Sequence, residues 1–104
     1  MMAKKKHGNS HENEGEHHLY EIYDEKRKGV YKYGISGKPL NQDRTSPRAN
    51  EQVRYLNRAV GWCRYIANIL KTCIAGRLKA EMLEREYIEA FLKEKGYRPP
   101  GNLK

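Results

Sequence analysis

A glutamate, several cations and a set of tyrosines are the residues of this 104-residue chain whose types and positions suit chemistry. Glu84 lies on the apolar stripe of a segment with helical periodicity, whereas most charged residues of that segment take its other faces. A carboxylate that faces a core needs a cationic partner, because an unpaired buried charge costs several kcal/mol. That partner is either Lys or Arg in a structural salt bridge, or a divalent metal such as Mg²⁺, which binds one carboxylate together with phosphate oxygens and water. Lys32, Arg44 and Arg48 can hold a phosphate and a tyrosine can activate water, so these residue types suit hydrolysis of a phosphodiester.

A β-hairpin over residues 19–36 is predicted to carry part of this chemistry. Tyr20 and Ile22 lie on one face of the first strand, and residues 24–29 form a polar, lysine-rich connector that ends in glycine. Strand alternation predicts that three residues of the second strand share a face: Val30, Lys32 and Gly34. A lysine on an apolar strand, close to a glycine that lets another group approach the backbone, indicates a phosphate-binding position.

Local signals predict two helices after the hairpin. Ser46 is the expected N-cap and Pro47 the first residue of a helix that ends near Gly61. Residues 77–95 carry a continuous apolar stripe, and Gly96 follows where helices typically end, which predicts the second helix.

Residues 62–74, between these helices, fit a helix and a strand equally well by periodicity. Their β-branched and aromatic content, and Gly76 behind them, favour a third strand. The predicted fold class is therefore α/β, with a small antiparallel three-stranded sheet flanked by helices.

The first 18 residues are polar and predict a disordered lead to a single domain over residues 19–104. All the histidines of the chain lie in this lead: His7, His11, His17 and His18. Without a framework to fix coordination geometry, they are not expected to bind a functional metal.

Cys63 and Cys73 lack CxxC spacing, and on one extended segment they would be too far apart for a disulfide. We therefore expect buried free thiols. The sequence has no apolar run long enough to cross a membrane and no signal peptide, so no membrane partner is expected.

Basic residues are concentrated in the middle of the chain, whose net charge is +8. Between residues 26 and 79, thirteen Lys or Arg residues stand against two acidic ones. Such an imbalance favours a polyanionic partner, DNA or RNA, through release of counterions. A basic surface that serves only solubility is the competing interpretation.

After the LYEI sequence at residues 19–22, four motifs follow in order. They are YKYGIS at residues 31–36, an SxRxNxQV-like segment at residues 46–53, AxxxE at residues 80–84 and PPGN at residues 99–102. This order resembles the GIY-YIG (URI-fold) nuclease superfamily. It is most similar to the URI-fold toxin domains at the C-terminus of bacterial polymorphic toxins of the RHS type, over about residues 18–103.

The resemblance implies roles for the cationic residues and the first tyrosine. Tyr20 matches the tyrosine of the family's first motif and would act as general base, directly or after losing its own proton. Lys32 replaces the usual tyrosine of the second motif and would stabilise the tyrosinate and the phosphate, so we expect it to lower the pKa of Tyr20. Arg48 matches the family arginine that grips the scissile phosphate or orients water, with Arg44 as the fallback.

The resemblance also implies a metal ligand and a set of substrate contacts. Glu84 matches the family's metal-ligating glutamate, and the implied metal is Mg²⁺ or Mn²⁺. Asn102 matches a late asparagine that orders the site or contacts phosphate. Tyr33 and Gly34 complete the second motif and are assigned to substrate binding, together with Arg44 and Asn102.

The function implied is that of a metal-dependent endonuclease that hydrolyses phosphodiester bonds, with DNA as the expected substrate and RNA left open. The protein would be cytoplasmic, or would be delivered into a target cell as part of a larger secreted toxin, and a small acidic immunity protein would neutralise it. Two alternatives remain. One is a non-catalytic nucleic-acid-binding domain of the same fold, in which Lys32 marks lost chemistry. The other is a structural or protein-binding domain.

Overall fold

The computed structural model describes residues 15–103, which form a three-stranded sheet and two helices. In chain order the elements are β1 (Glu16–Asp24), β2 (Gly29–Ser36), α1 (Pro47–Val60), β3 (Tyr65–Ala75) and α2 (Arg77–Lys95). β1 is the central strand and pairs antiparallel with β2 on one side and with β3 on the other. The predicted α/β class, an antiparallel three-stranded sheet flanked by helices, is confirmed.

β1 begins earlier than the sequence predicted. Residues 16–18 were assigned to the polar lead, but they belong to the strand and pair with its neighbours. His17 and His18 are 2% and 3% exposed, because the sheet and the residues packed on it cover both rings. These two histidines therefore do have a framework around them. Residues 1–14, which hold His7 and His11, lie outside the described residues, as does residue 104.

A β-bulge in β2 changes which residues face the site. Ile22 of β1 pairs with Lys32, but the next residue, Tyr23, pairs with Val30, so Tyr31 is an extra residue in the ladder. Val30 consequently packs with the cluster on the α2 side of the sheet, whereas Tyr31 packs on the opposite cluster. The prediction that Val30 shares a face with Lys32 is wrong, because the simple alternation is interrupted between them.

Both helices have the limits that the sequence predicted. The Ser46 side chain accepts a hydrogen bond from the N–H of Ala49 at 3.1 Å, and Pro47 is the first residue of α1. Gly61 and Gly96, with φ values of 83° and 84°, follow α1 and α2 in the left-handed conformation that suits glycine.

α1 and α2 pack on opposite faces of the sheet. Tyr20 and Ile22 of β1 form a buried cluster with Ala49 of α1. Leu19, which points the other way, packs against Ala80 of α2. The third strand that the β-branched and aromatic content of residues 62–74 favoured is confirmed as β3.

The two cysteines differ from the prediction in one respect. Cys63 and Cys73 are free, as expected, but both are exposed, because Cys63 precedes β3 and Cys73 lies where the pairing of β3 is irregular, with a φ of 56°. Among the helices of residues 15–103, neither has the length and apolar character needed to span a membrane.

Candidate active site

Four predicted site residues are linked by electrostatic interactions, Tyr20 and Lys32 each with both Arg48 and Glu84. They lie on β1, β2, α1 and α2 respectively. Arg48 and Glu84 both shift the pKa of Tyr20, and both shift the pKa of Lys32. With Gln52, which contacts the Tyr20 hydroxyl, these residues form what we call the polar cluster.

The ring of Tyr20 lies directly over Gly34 of β2. Tyr20 is 1% exposed, and a methyl group built at Gly34 would collide with the hydroxyl-bearing end of its ring. The two residues are also paired in the β1–β2 ladder. Gly34 was predicted to contact substrate, but the group that approaches its backbone is the Tyr20 ring. Its role in this structure is to make room for that ring.

Burial dominates the ionisation of Tyr20. Loss of solvation raises the pKa of its hydroxyl, the nearby Arg48 guanidinium lowers it, and the Glu84 carboxylate raises it again. The net pKa is above the ordinary value, and the cation that opposes the rise is Arg48. The expectation that Lys32 would lower the pKa of Tyr20 is therefore wrong. The protonated hydroxyl donates a hydrogen bond to Gln52 Oε1 at 3.2 Å.

Lys32 and Glu84 are half-buried and are held near each other without an ion pair. Burial lowers the pKa of Lys32, with a further decrease from Arg48 and an opposing increase from Glu84. Burial raises the pKa of Glu84, which Lys32 only partly offsets. Among the described residues Glu84 forms no salt bridge. The structural ion pair that the sequence left open as an alternative for Glu84 is thus absent from residues 15–103.

The donor set around Glu84 limits which metal would fit. Within the described part of the chain no group of three or more His, Cys, Asp or Glu side chains could hold a metal ion. The polar cluster offers one carboxylate, and burial raises the pKa of Glu84 more than Lys32 and Arg77 lower it. A single carboxylate completed by phosphate oxygens and water is the coordination that suits Mg²⁺, so the residues present fit that ion.

Asn102 clamps the outer edge of β2. Its side-chain Oδ1 accepts a hydrogen bond from the N–H of Tyr33 at 2.7 Å, and its Nδ2 donates one to the Tyr33 carbonyl at 3.0 Å. The N–H of the preceding Gly101 bonds the Tyr31 carbonyl at 2.7 Å. The amide of Asn102 is thus engaged with β2, the strand that carries Lys32.

Two other predicted substrate contacts lie away from the polar cluster. Tyr33 is buried on the opposite face of the sheet, where its ring packs near Ile88 and Phe91 of α2. Its assignment to substrate binding is wrong, because the strand alternation that places Lys32 in the site turns Tyr33 away. Arg44 is exposed in the loop before α1 and lines a separate groove with Lys38. Arg48, and not Arg44, is the arginine of the cluster.

Sequence reasoning missed two residues that position the cluster. Gln52 follows Arg48 by one helical turn, and that spacing could have indicated a shared face. His18 precedes Tyr20 by two residues on β1, so alternation could have placed the two rings together, at a centroid distance of 6.2 Å. His18 Nε2 lies 2.7 Å from the Ser46 hydroxyl oxygen. This bond ties the start of the helix that carries Arg48 to the strand that carries Tyr20.

The sheet, its two flanking helices and the polar cluster define a small α/β domain that carries a site of mixed charge. The chain matches the model of the family described as URI fold toxin 2 over residues 10–96, and it belongs to that family. The resemblance to URI-fold toxin domains is confirmed. No curated protein and no solved structure matches the chain.

Proposed function

We propose that this toxin domain is a metal-dependent endonuclease that hydrolyses phosphodiester bonds, with DNA as its substrate. The observation that carries the proposal is the convergence of Tyr20, Lys32, Arg48 and Glu84 from four different elements. Two cations suit a phosphate, and a buried hydroxyl suits proton transfer. A carboxylate that forms no ion pair within residues 15–103 suits a metal.

The cationic residues bind and orient the phosphate in this proposal. Arg48 is exposed at the first turn of α1 and presents its guanidinium to the scissile phosphate. Lys32, on the floor of the site, adds a second positive charge. Its lowered pKa reflects burial, and the negative charge of the phosphodiester would favour its charged form.

Tyr20 accepts the proton of the attacking water. Its hydroxyl must first release its own proton, and the neighbouring Arg48 guanidinium favours the resulting phenolate. Gln52 Oε1 fixes the direction of the hydroxyl in the resting site, so that the oxygen is presented in one orientation. Gly34 and His18 hold the ring in position.

Glu84 would hold Mg²⁺ or Mn²⁺ together with oxygens of the phosphate. When bound, the metal supplies Lewis-acid stabilisation of the charge that develops on the phosphate. A divalent ion would also relieve the desolvated carboxylate, whose raised pKa supports this assignment.

The family and the charge support a biological setting for this proposal. The net charge of +8 supports a polyanionic substrate. A URI-fold toxin would act inside a target cell after delivery by a larger protein, and a small acidic immunity protein would protect the producer. Family membership supports this setting.

The test is a cleavage assay on supercoiled plasmid and on total RNA, with Mg²⁺, with Mn²⁺ and with EDTA. We expect plasmid nicking that requires metal and falls at least about 100-fold in Glu84→Ala. Glu86→Ala is the matched control, because Glu86 is an exposed carboxylate on the same helix. The proposal fails if no metal supports cleavage, or if Glu84→Ala cuts as fast as Glu86→Ala. Cleavage of RNA but not of plasmid DNA would identify RNA as the substrate.

Nucleic-acid binding without cleavage is the second candidate function. The raised pKa of Tyr20 favours it, because a phenol that keeps its proton is a poor base. Retention on DNA at low salt with steep loss at high salt, together with no cleavage in any metal, would establish it.

A further inference from the structure

An open groove begins at the polar cluster and leads away from it along α1. It has a volume of about 450 Å³, and Lys32 and Arg48 line one part of it. Ile22 and Leu56 contribute apolar side chains, and Glu51 and Gln52 of α1 also line it. The groove therefore combines two cations and one carboxylate with an apolar surface. Such a combination suits a ligand that is part phosphate and part flat ring.

Two tyrosines border this groove, for different structural reasons. The bulge in β2 turns Tyr31 toward it, and an edge-on contact with Tyr65 at a centroid distance of 5.1 Å fixes that ring. Tyr55 follows Arg48 by two helical turns on α1 and is 71% exposed. The Tyr55 ring is therefore available to a ligand, while the Tyr31 ring is held in place by its contact with Tyr65.

We propose that this groove binds an unpaired nucleobase next to the scissile phosphate, with the base stacked on Tyr55, so that the substrate is single-stranded or locally unpaired DNA. The inference rests on the proposed function and specifies its substrate. Lys32 and Arg48 hold the phosphate at one end, and an aromatic and apolar surface continues from them. Base stacking on an aromatic side chain requires an accessible ring face, which a paired and stacked base inside a duplex does not offer.

The test separates the bases from the phosphates. Binding of a fluorescent single-stranded DNA is compared by anisotropy with that of an abasic strand of the same length and charge, in EDTA, where metal-dependent cleavage is off. We expect the parent to bind the base-bearing strand about 10-fold more tightly than the abasic strand. Tyr55→Phe should keep this preference, because the ring remains. Tyr55→Ala should lose it while binding the abasic strand as the parent does.

Trp62→Ala is the matched control. Trp62 is 50% exposed just beyond α1 and does not line the groove, so its removal should leave the preference for bases intact. A circular dichroism spectrum unchanged by Tyr55→Ala checks that the fold is retained. A duplex of the same sequence should bind more weakly than the single strand.

Two results would overturn the proposal. One is that Tyr55→Ala weakens the binding of the base-bearing and abasic strands equally, or weakens the binding of neither. The other is that the preference for the base-bearing strand disappears in Trp62→Ala but not in Tyr55→Ala. Because this assay measures binding and not cleavage, failure of the base-binding proposal can be told apart from failure of the nuclease proposal. A preference for bases without cleavage in any metal would reject the nuclease proposal and support base binding in the groove. Cleavage without a preference for bases would support the nuclease proposal and reject base binding in the groove.

Discussion

Gly34→Ala should disrupt the packing of the Tyr20 ring over β2, and the size of the effect follows from the structure. A methyl group at Gly34 would lie 2.8 Å from Tyr20 Cε1 and nearer still to the hydroxyl-bearing end of the ring. Carbon atoms in contact prefer about 3.5–4.0 Å, so either the ring or β2 must shift by about 1 Å. Overpacking of this kind costs about 1–3 kcal/mol of unfolding free energy. A displacement of about 1 Å also costs about 100-fold in cleavage rate when it affects a reacting group.

Gly29→Ala is the matched control for this change. Gly29 lies on the same strand, and a methyl group there would meet nothing within 4 Å. Its effect on stability should stay within about 0.5 kcal/mol. Urea denaturation of both variants gives the comparison without any assumption about function.

A double-mutant cycle identifies the cause of the effect. Tyr20→Leu removes the ring atoms that collide, so Gly34→Ala should cost little more in that background than Gly29→Ala does in the parent. The reasoning is refuted if Gly34→Ala and Gly29→Ala are equally stable. It is also refuted if the cost of Gly34→Ala is unchanged by Tyr20→Leu.

Two further predictions concern residues that hold the site's strands. Asp24 is 1% exposed and makes two 2.8 Å hydrogen bonds with Arg64, which lower its pKa below the ordinary value. The stabilisation by Asp24 is therefore present above its unfolded-state pKa and is lost as pH falls through its lower folded-state pKa. Urea denaturation at neutral pH should show that Asp24→Asn is about 3 kcal/mol less stable than the parent. A stability difference between the two that does not narrow in acid would contradict this. Asn102→Ala removes both hydrogen bonds to the Tyr33 backbone, so amide hydrogen exchange at Tyr33 should accelerate by about 10-fold or more. Leu103 is exposed, so Leu103→Ala should leave that exchange rate unchanged. Equal protection of the Tyr33 amide in both variants would show that Asn102 does not stabilise β2.

Local sequence signals were enough to predict the helices and the sheet. Ser46 and Pro47 define the start of α1 through backbone chemistry that involves only near neighbours, and Gly61 and Gly96 do the same for the two ends. The stripe of α2 likewise depends on helical spacing alone. Glu84 stood out because it interrupts that stripe.

Features that depend on tertiary contacts were not visible in the sequence. The bulge at Tyr31 inserts one residue into a ladder, and alternation counted along β2 cannot detect it. The start of β1 was missed because His17 and His18 look polar, although the fold buries them. The pKa of Tyr20 depends on burial by several elements at once, which outweighs the opposing effect of the Arg48 guanidinium, and the sequence had suggested Lys32 instead.

The pH dependence of cleavage by the parent and by Tyr20→Phe tests the central claim most directly. Phenylalanine keeps the ring on Gly34 and removes only the hydroxyl that bonds Gln52. If Tyr20 is the base, parent cleavage should rise about tenfold per pH unit from about pH 6 to about pH 9, because its pKa lies above the ordinary value. Tyr20→Phe should be at least about 100-fold slower and should lose that rise. A Tyr20→Phe variant that cuts as fast as the parent, with the same pH profile, would contradict the account.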